Sequence, residues 1–133
     1  MNNRSRLFRG KVIHAPAGCV GTYTGGQFVH GSLLIWPSGE HEICVSTGDT
    51  DMDKLTVNRN TVGQFTGMND KNGNPIYEGD IVKNWQGGWN VVVYKAPSFE
   101  ATVSADQSSM YRLDWWEQTE VVGNVYDNPE LLK

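Results

Sequence analysis

The chain has 133 residues, a formal net charge of −4 and 38% hydrophobic residues. A chain of this size buries roughly two-thirds of the surface its unfolded form exposes, so a core forms without metal or disulfide support, and a single domain spanning 1–133 is expected. The acidic balance repels a phosphate backbone and disfavours broad nucleic-acid binding, and the longest apolar runs, 33–36 and 91–94, are far too short to span a membrane.

Residues 1–6 read as a loose arm. The first eleven residues hold Arg4, Arg6, Arg9 and Lys11 and no acid. Such a row is a candidate contact for nucleic acid or an acidic partner, although a run this short is more simply the solvated start of a strand. No positively charged segment leads into an apolar stretch of signal-peptide type. The expected setting is therefore intracellular, where Cys19 and Cys44 stay reduced and unpaired.

Residues 7–13 read as the first strand. Ala15-Pro16-Ala17-Gly18 breaks it, and 21–26 is a second loop. Residues 28–36 have the length and aromatic content of a strand, Pro37-Ser38-Gly39-Glu40 is a turn, and 41–46 returns with Ile43 and Val45 on one face. These two runs make a hairpin. The acidic stretch 47–53 follows, with one short helical turn expected over 51–57 and another strand over 61–65.

Residues 62–83 then carry two turns in close succession. Asp70-Lys71-Asn72-Gly73-Asn74-Pro75 is dense in residues that bond to nearby backbone N–H groups or tolerate φ > 0. Glu78-Gly79-Asp80 separates Ile76-Tyr77 from Ile81-Val82-Lys83. Gly79 is read as the bend and Asp80 as its lock, through N–H bonds to its carboxylate. Glu78 and Asp80 can alternatively be viewed as a catalytic carboxylate pair, but acids beside glycine are ordinarily turn residues.

Beyond this point Gln86-Gly87-Gly88 joins 81–85 to 89–94 as a second hairpin, with Trp85 and Trp89 on its arms. Residues 99–103 and 110–116 are weaker strands, and 120–126 is the last. Trp115 and Trp116 point to opposite faces of their strand, which leaves one of them as a candidate surface residue. Asn128 stands where a helix N-cap belongs and Pro129 at the first helical position. So short a helix leaves Leu131 and Leu132 in need of something to pack on.

Three blocks resemble the YopX family of bacteriophage and prophage proteins. The longest is Thr66-Gly67-Met68-Asn69-Asp70-Lys71-Asn72-Gly73-Asn74-Pro75-Ile76-Tyr77-Glu78-Gly79-Asp80-Ile81-Val82, similar to the family's central signature. Phe8-Arg9-Gly10-Lys11 resembles its opening, and Glu120-Val121-Val122-Gly123-Asn124-Val125-Tyr126-Asp127-Asn128-Pro129-Glu130-Leu131-Leu132 its close. A further stretch, 26–33, is similar to the family's G-x-W-V-Y-G-x-L block, with Phe28 in place of Trp and His30 in place of Tyr. The resemblance implies an origin and a fold but no particular activity.

The fold class expected is mainly β, a β-rich α+β arrangement of antiparallel strands and hairpins. Two lobes, roughly 7–65 and 66–133, make up the one domain, the second reminiscent of a small SH3-like barrel. The structural signature is Gly67, Asp70, Asn72, Gly73, Tyr77, Glu78, Gly79 and Asp80. No catalytic, cofactor or metal site is expected. His41 and Cys44 have an H-x-x-C spacing without the second close pair that zinc sites show. Asp49, Asp51 and Asp53 begin like a calcium loop, but Lys54 and Asn60 stand where Gly and Glu are required. The function expected is non-catalytic protein binding as a homo-oligomer or adaptor for an unknown host or phage protein. Trp85, Trp89, Trp115, Trp116, Leu131 and Leu132 are its candidate interface, and a nucleic-acid module using the basic arm is the alternative.

Overall fold

The structure, a computed structural model, describes residues 7–84, 87–95, 98–102, 110–112 and 118–132, the backbone alone for 95, 98, 100–102 and 110–112. Arg4, Arg6, Trp85, Trp115 and Trp116 lie outside the described residues. The protein is mainly β, and the chain divides into two compact units, Met1–Gln64 and Phe65–Lys133.

In the first unit β1 (Phe8–His14), β2 (Phe28–Ile35), β3 (His41–Ser46) and the start of β4 (Met52–Asn69) pair antiparallel in sequence order, and β1 also pairs with β4. The four strands therefore return on themselves. Such a ring leaves fewer unpaired edges than an open sheet. Alternate residues face its interior: Val12, Val29, Ile43, Leu55 and Val57 are buried together. Residues 52–57 are thus strand and not the helical turn expected over 51–57. Leu55 and Val57 sit two apart and point inward, and the backbone from Met52 to Val57 pairs with β3.

Ring closure depends on an irregular junction. The pairing of β1 with β4 jumps from Arg9↔Gly63 to Lys11↔Asn58. The Thr61 hydroxyl fills the gap: it accepts the Lys11 N–H at 2.9 Å and donates to the Asn58 carbonyl at 2.6 Å. One side chain there stands in for ladder bonds that the bulge interrupts.

The pairing of β1 with β2 joins Phe8 to Gly31, Arg9 to His30, Gly10 to Val29 and Lys11 to Phe28. Both glycines are there for close approach. A Cβ on Gly10 would lie 3.0 Å from a Val57 methyl, and one on Gly31 would lie 2.0 Å from the Cys44 carbonyl oxygen.

In the second unit the far end of β4 pairs with β5 (Pro75–Tyr77), with a register slip between Phe65 and Asn69 where Gly67 takes φ +85°. The other sheet has the order β10-β6-β7-β8-β9, from β6 (Asp80–Lys83), β7 (Trp89–Lys95), β8 (Ser98–Thr102), β9 (Met110–Arg112) and β10 (Glu120–Asn124). Ile76 of β5 forms a core cluster with Val82 and Val92 of this sheet, with Phe99 and Val121 packed on them. Among the described residues no pairing joins β9 to β10, so the SH3-like closure expected of this half is not shown.

The hairpin between β6 and β7 turns at Gly87, φ +87°. Asn84 holds it by accepting the Gly88 N–H at 2.9 Å and donating to buried Asn90 at 2.6 Å. The chain ends in the 3₁₀ turn Pro129–Leu132. Asn128 does not cap it with its side chain as expected. Its Oδ1 reaches back to the Asn124 N–H at 3.2 Å, while its backbone carbonyl accepts the Leu131 N–H.

Replacing Gly31 by alanine tests the packing argument. The Cys44 carbonyl belongs to a paired strand and moves only if the ladder distorts, so a loss of about 1–3 kcal/mol is expected, typical of overpacking. The shift of the urea midpoint measures it. Gly25→Ala, where an added Cβ meets nothing within 4 Å, is the matched control.

Candidate functional site

The central signature is built around one carboxylate. Asp70 Oδ1 accepts the N–H groups of Asn72 at 2.9 Å and Asn74 at 2.8 Å, and Oδ2 accepts the N–H of Val121 at 2.9 Å. Gly73, at φ +83°, lets the chain turn tightly enough for this. Lys71 N–H donates to the Thr119 carbonyl at 3.0 Å, and its ammonium lies 3.7 Å from Glu120. The turn is thereby clasped to the start of β10. Burial alone would raise the Asp70 carboxyl, but the donors at Val121, Asn74 and Asn72 together hold its pKa below the ordinary value.

The second bend works alike. Buried Asp80 accepts the Tyr77 N–H at 2.8 Å. Gly79, at φ +93°, donates to the Val92 carbonyl and accepts from the Val125 N–H, both at 2.9 Å. A Cβ there would meet the Tyr126 ring at 3.2 Å. Asp80 is thus engaged in locking this turn, as its place beside Gly79 leads one to expect.

The first unit has its own anionic lock at Asp53, the last acid of the stretch that begins like a calcium loop. Buried Asp53 accepts the N–H groups of Val20 and Gly21, each at 2.9 Å, and the Tyr23 hydroxyl at 2.7 Å. Those are donors, the opposite of what a cation requires. Gly21, Tyr23 and Val20, in that order, draw the Asp53 pKa down against the effect of burial, while burial and the bond to Asp53 push Tyr23 up to about 12.

The basic row is not uniformly exposed. Arg9 is only 7% exposed, with its guanidinium 4.4 Å from the centre of the Phe28 ring, and the Lys11 ammonium lies 5.3 Å from the same ring. Phe28 is thus a cation–π platform inside the first unit. The nucleic-acid alternative loses Arg9 as a phosphate contact.

His41 and Cys44 are three apart on a strand and so face opposite ways. The His41 ring bonds the Gly39 carbonyl at 2.8 Å. Among the described residues no group of three or more His, Cys, Asp or Glu is placed to hold a metal. Burial raises both thiols. The Asp53 charge adds to it at Cys19, whereas at Cys44 Lys54 opposes and Glu42 reinforces it.

The open surface features lie elsewhere. Trp89 is 39% exposed at the start of β7. Trp36, at the end of the strand expected over 28–36, is 45% exposed, and its indole N–H donates to Glu42 at 2.6 Å. It borders an open groove of about 430 Å³ lined by Trp36, Pro37, Ser38, Glu40 and Glu42. The available signal was its position immediately before a Pro-Ser-Gly hairpin turn, where a strand leaves the core.

Comparison with known proteins places this geometry. The family profile described as YopX protein matches residues 36–133. The chain belongs to the YopX family. The match takes in the central and terminal blocks, while Phe8-Arg9-Gly10-Lys11 and 26–33 precede it. The fold is similar to that of protein yopX from Bacillus subtilis, at 23% identity and a TM-score of 0.56 over 97% of this chain and 99% of that one. It is also similar to protein EF1440 from Enterococcus faecalis, at 19% identity and a TM-score of 0.52 over 81% and 91%. No curated protein matches the sequence. Among the described residues of this YopX-family chain no helix is long and apolar enough to cross a membrane.

The clasp makes two expectations. Asp70→Ala, which strands N–H groups of the turn and β10, should cost about 1–3 kcal/mol in urea unfolding. Because the folded-state pKa values of Asp70 and Asp53 are lowered, their contribution is present above the ordinary carboxyl value, about 3.9, and lost as pH falls through the lowered values. Thermal melts from pH 7 to pH 2 should show a steep acid limb, shallower in Asp70→Ala.

Proposed function

We propose that this YopX-family protein works by binding protein surfaces rather than by catalysis, and that it does so as a closed symmetric oligomer of its own chain. The observation that carries this is the aromatic face of β7. Trp89 is exposed, and Val91 and Val93, which share its side of the strand, are half-buried. A tryptophan flanked by aliphatic side chains is what a partner surface covers. The half-buried Leu131 and Leu132 of the terminal turn extend the apolar area available in the second unit.

The signature acids support a non-catalytic reading, since Asp70 and Asp80 are occupied by backbone N–H groups. The setting that fits is the cytoplasm of a bacterial cell carrying a phage or prophage. Cys19 and Cys44, both free thiols, suit a reducing compartment.

Light scattering at micromolar concentration tests the oligomer. The expected mass is a small multiple of 14.8 kDa, reduced toward the monomer by Trp89→Ser. A monomer mass independent of concentration overturns self-association.

A further inference from the structure

The groove beside Trp36 combines three features. Its indole is open to solvent and held in place, because Glu42 Oε1 accepts the ring N–H at 2.6 Å. The hairpin turn beneath is stiffened by Trp36 N–H to the Glu40 carbonyl at 2.9 Å and Gly39 N–H to the Trp36 carbonyl at 2.8 Å, with Gly39 at φ +91°. Glu40 and Glu42 line the same groove, two residues apart and so on one side of the extended chain.

The carboxylates have capacity left. Glu42 uses Oε1 on the indole, and Glu40 uses Oε1 on the Thr56 hydroxyl at a long 3.3 Å. Among the described residues the second oxygen of each receives no hydrogen bond. Neither acid has a salt-bridge partner among those residues. Positive charge does stand near the other side of the turn. A Cβ on Gly39 would lie 3.3 Å from an Arg59 guanidinium nitrogen, and Arg59 lines the adjoining groove with Ser38, Glu40 and His41. Arg59 does not line the groove that holds Trp36 and Glu42.

We propose that this groove receives an arginine side chain carried on an exposed segment of a partner protein. A guanidinium is flat, so it stacks on an indole face while its edge donates to carboxylates. Lysine offers a compact charge without the stacking plane. The groove's surplus is negative, two acids around an aromatic wall, and charge complementarity selects a cation over a phosphate or an acidic peptide. The site lies in the first unit, whereas β7 belongs to the second, and a single chain suffices to form it. It therefore stands or falls separately from self-association.

The test follows the Trp36 indole N–H resonance of the full chain, assigned by its loss in Trp36→Phe, during titration with acetyl-arginine amide, acetyl-lysine amide and acetyl-citrulline amide. Arginine should produce a saturable shift with a dissociation constant in the millimolar range, about that of a single-residue contact. Lysine should bind several-fold more weakly, and citrulline, which keeps the shape without the charge, should not saturate. Glu40→Gln should weaken arginine binding several-fold while leaving the indole resonance of the free protein in place. That variant keeps the Glu42 anchor, so its effect reads charge rather than misfolding. An arginine response matched by citrulline or lysine, or no saturable shift at Trp36, overturns the proposal.

Discussion

One carboxylate, that of Asp70, holds together segments fifty-one residues apart. It closes the turn at 70–74 and fixes the N–H of Val121 at the edge of the last strand. From that point β10 runs beside β6, Val121 against Val82 and Asn124 against Asp80. Val82 and Val121 then reach the same core as Ile76 and Val92. The packing of the second unit thus rests on a register that an anion sets through backbone N–H groups. A buried carboxylate suits this task because charge-assisted bonds are short and directional. A residue without a side-chain acceptor would leave the N–H groups of Asn72, Asn74 and Val121 without this partner.

The same logic explains the arrangement of the family blocks. Each unit is two blocks clasped to each other. Phe8-Arg9-Gly10-Lys11 pairs residue for residue with Phe28, Val29, His30 and Gly31, and the central signature pairs with the terminal block. Blocks far apart in sequence are partners in space, and some of their glycines stand where another backbone or ring comes close, as Gly31 does against Cys44 and Gly79 against Tyr126. The blocks encode a way of closing sheets. That is why a strong family resemblance conveys fold without conveying chemistry.

Turns were legible from sequence because their chemistry is local. Asn72-Gly73 and Gly79-Asp80 announce positive φ and side-chain locks within a few residues. Pairings set by distant partners were not. Residues 51–57 place Met52 and Leu55 three apart, which mimics a helical face, and only β3 alongside makes Leu55 and Val57 the inward pair. Ring closure through Thr61 depends on a bulge that no local pattern announces. The burial of Arg9 was hidden because its aromatic partner, Phe28, lies on the neighbouring strand. Trp36 was hidden because a strand-end tryptophan has the same sequence pattern whether it points to core or solvent.

The most direct measurement of the central claim is amide hydrogen exchange at Asn72, Asn74 and Val121 in the full chain at neutral pH. If Asp70 couples the turn to β10, all three amides are protected in the native protein and lose protection together in Asp70→Ala. Protection of Val121 unchanged by that substitution, with Asn72 and Asn74 alone set free, would contradict the account and reduce Asp70 to a local turn residue.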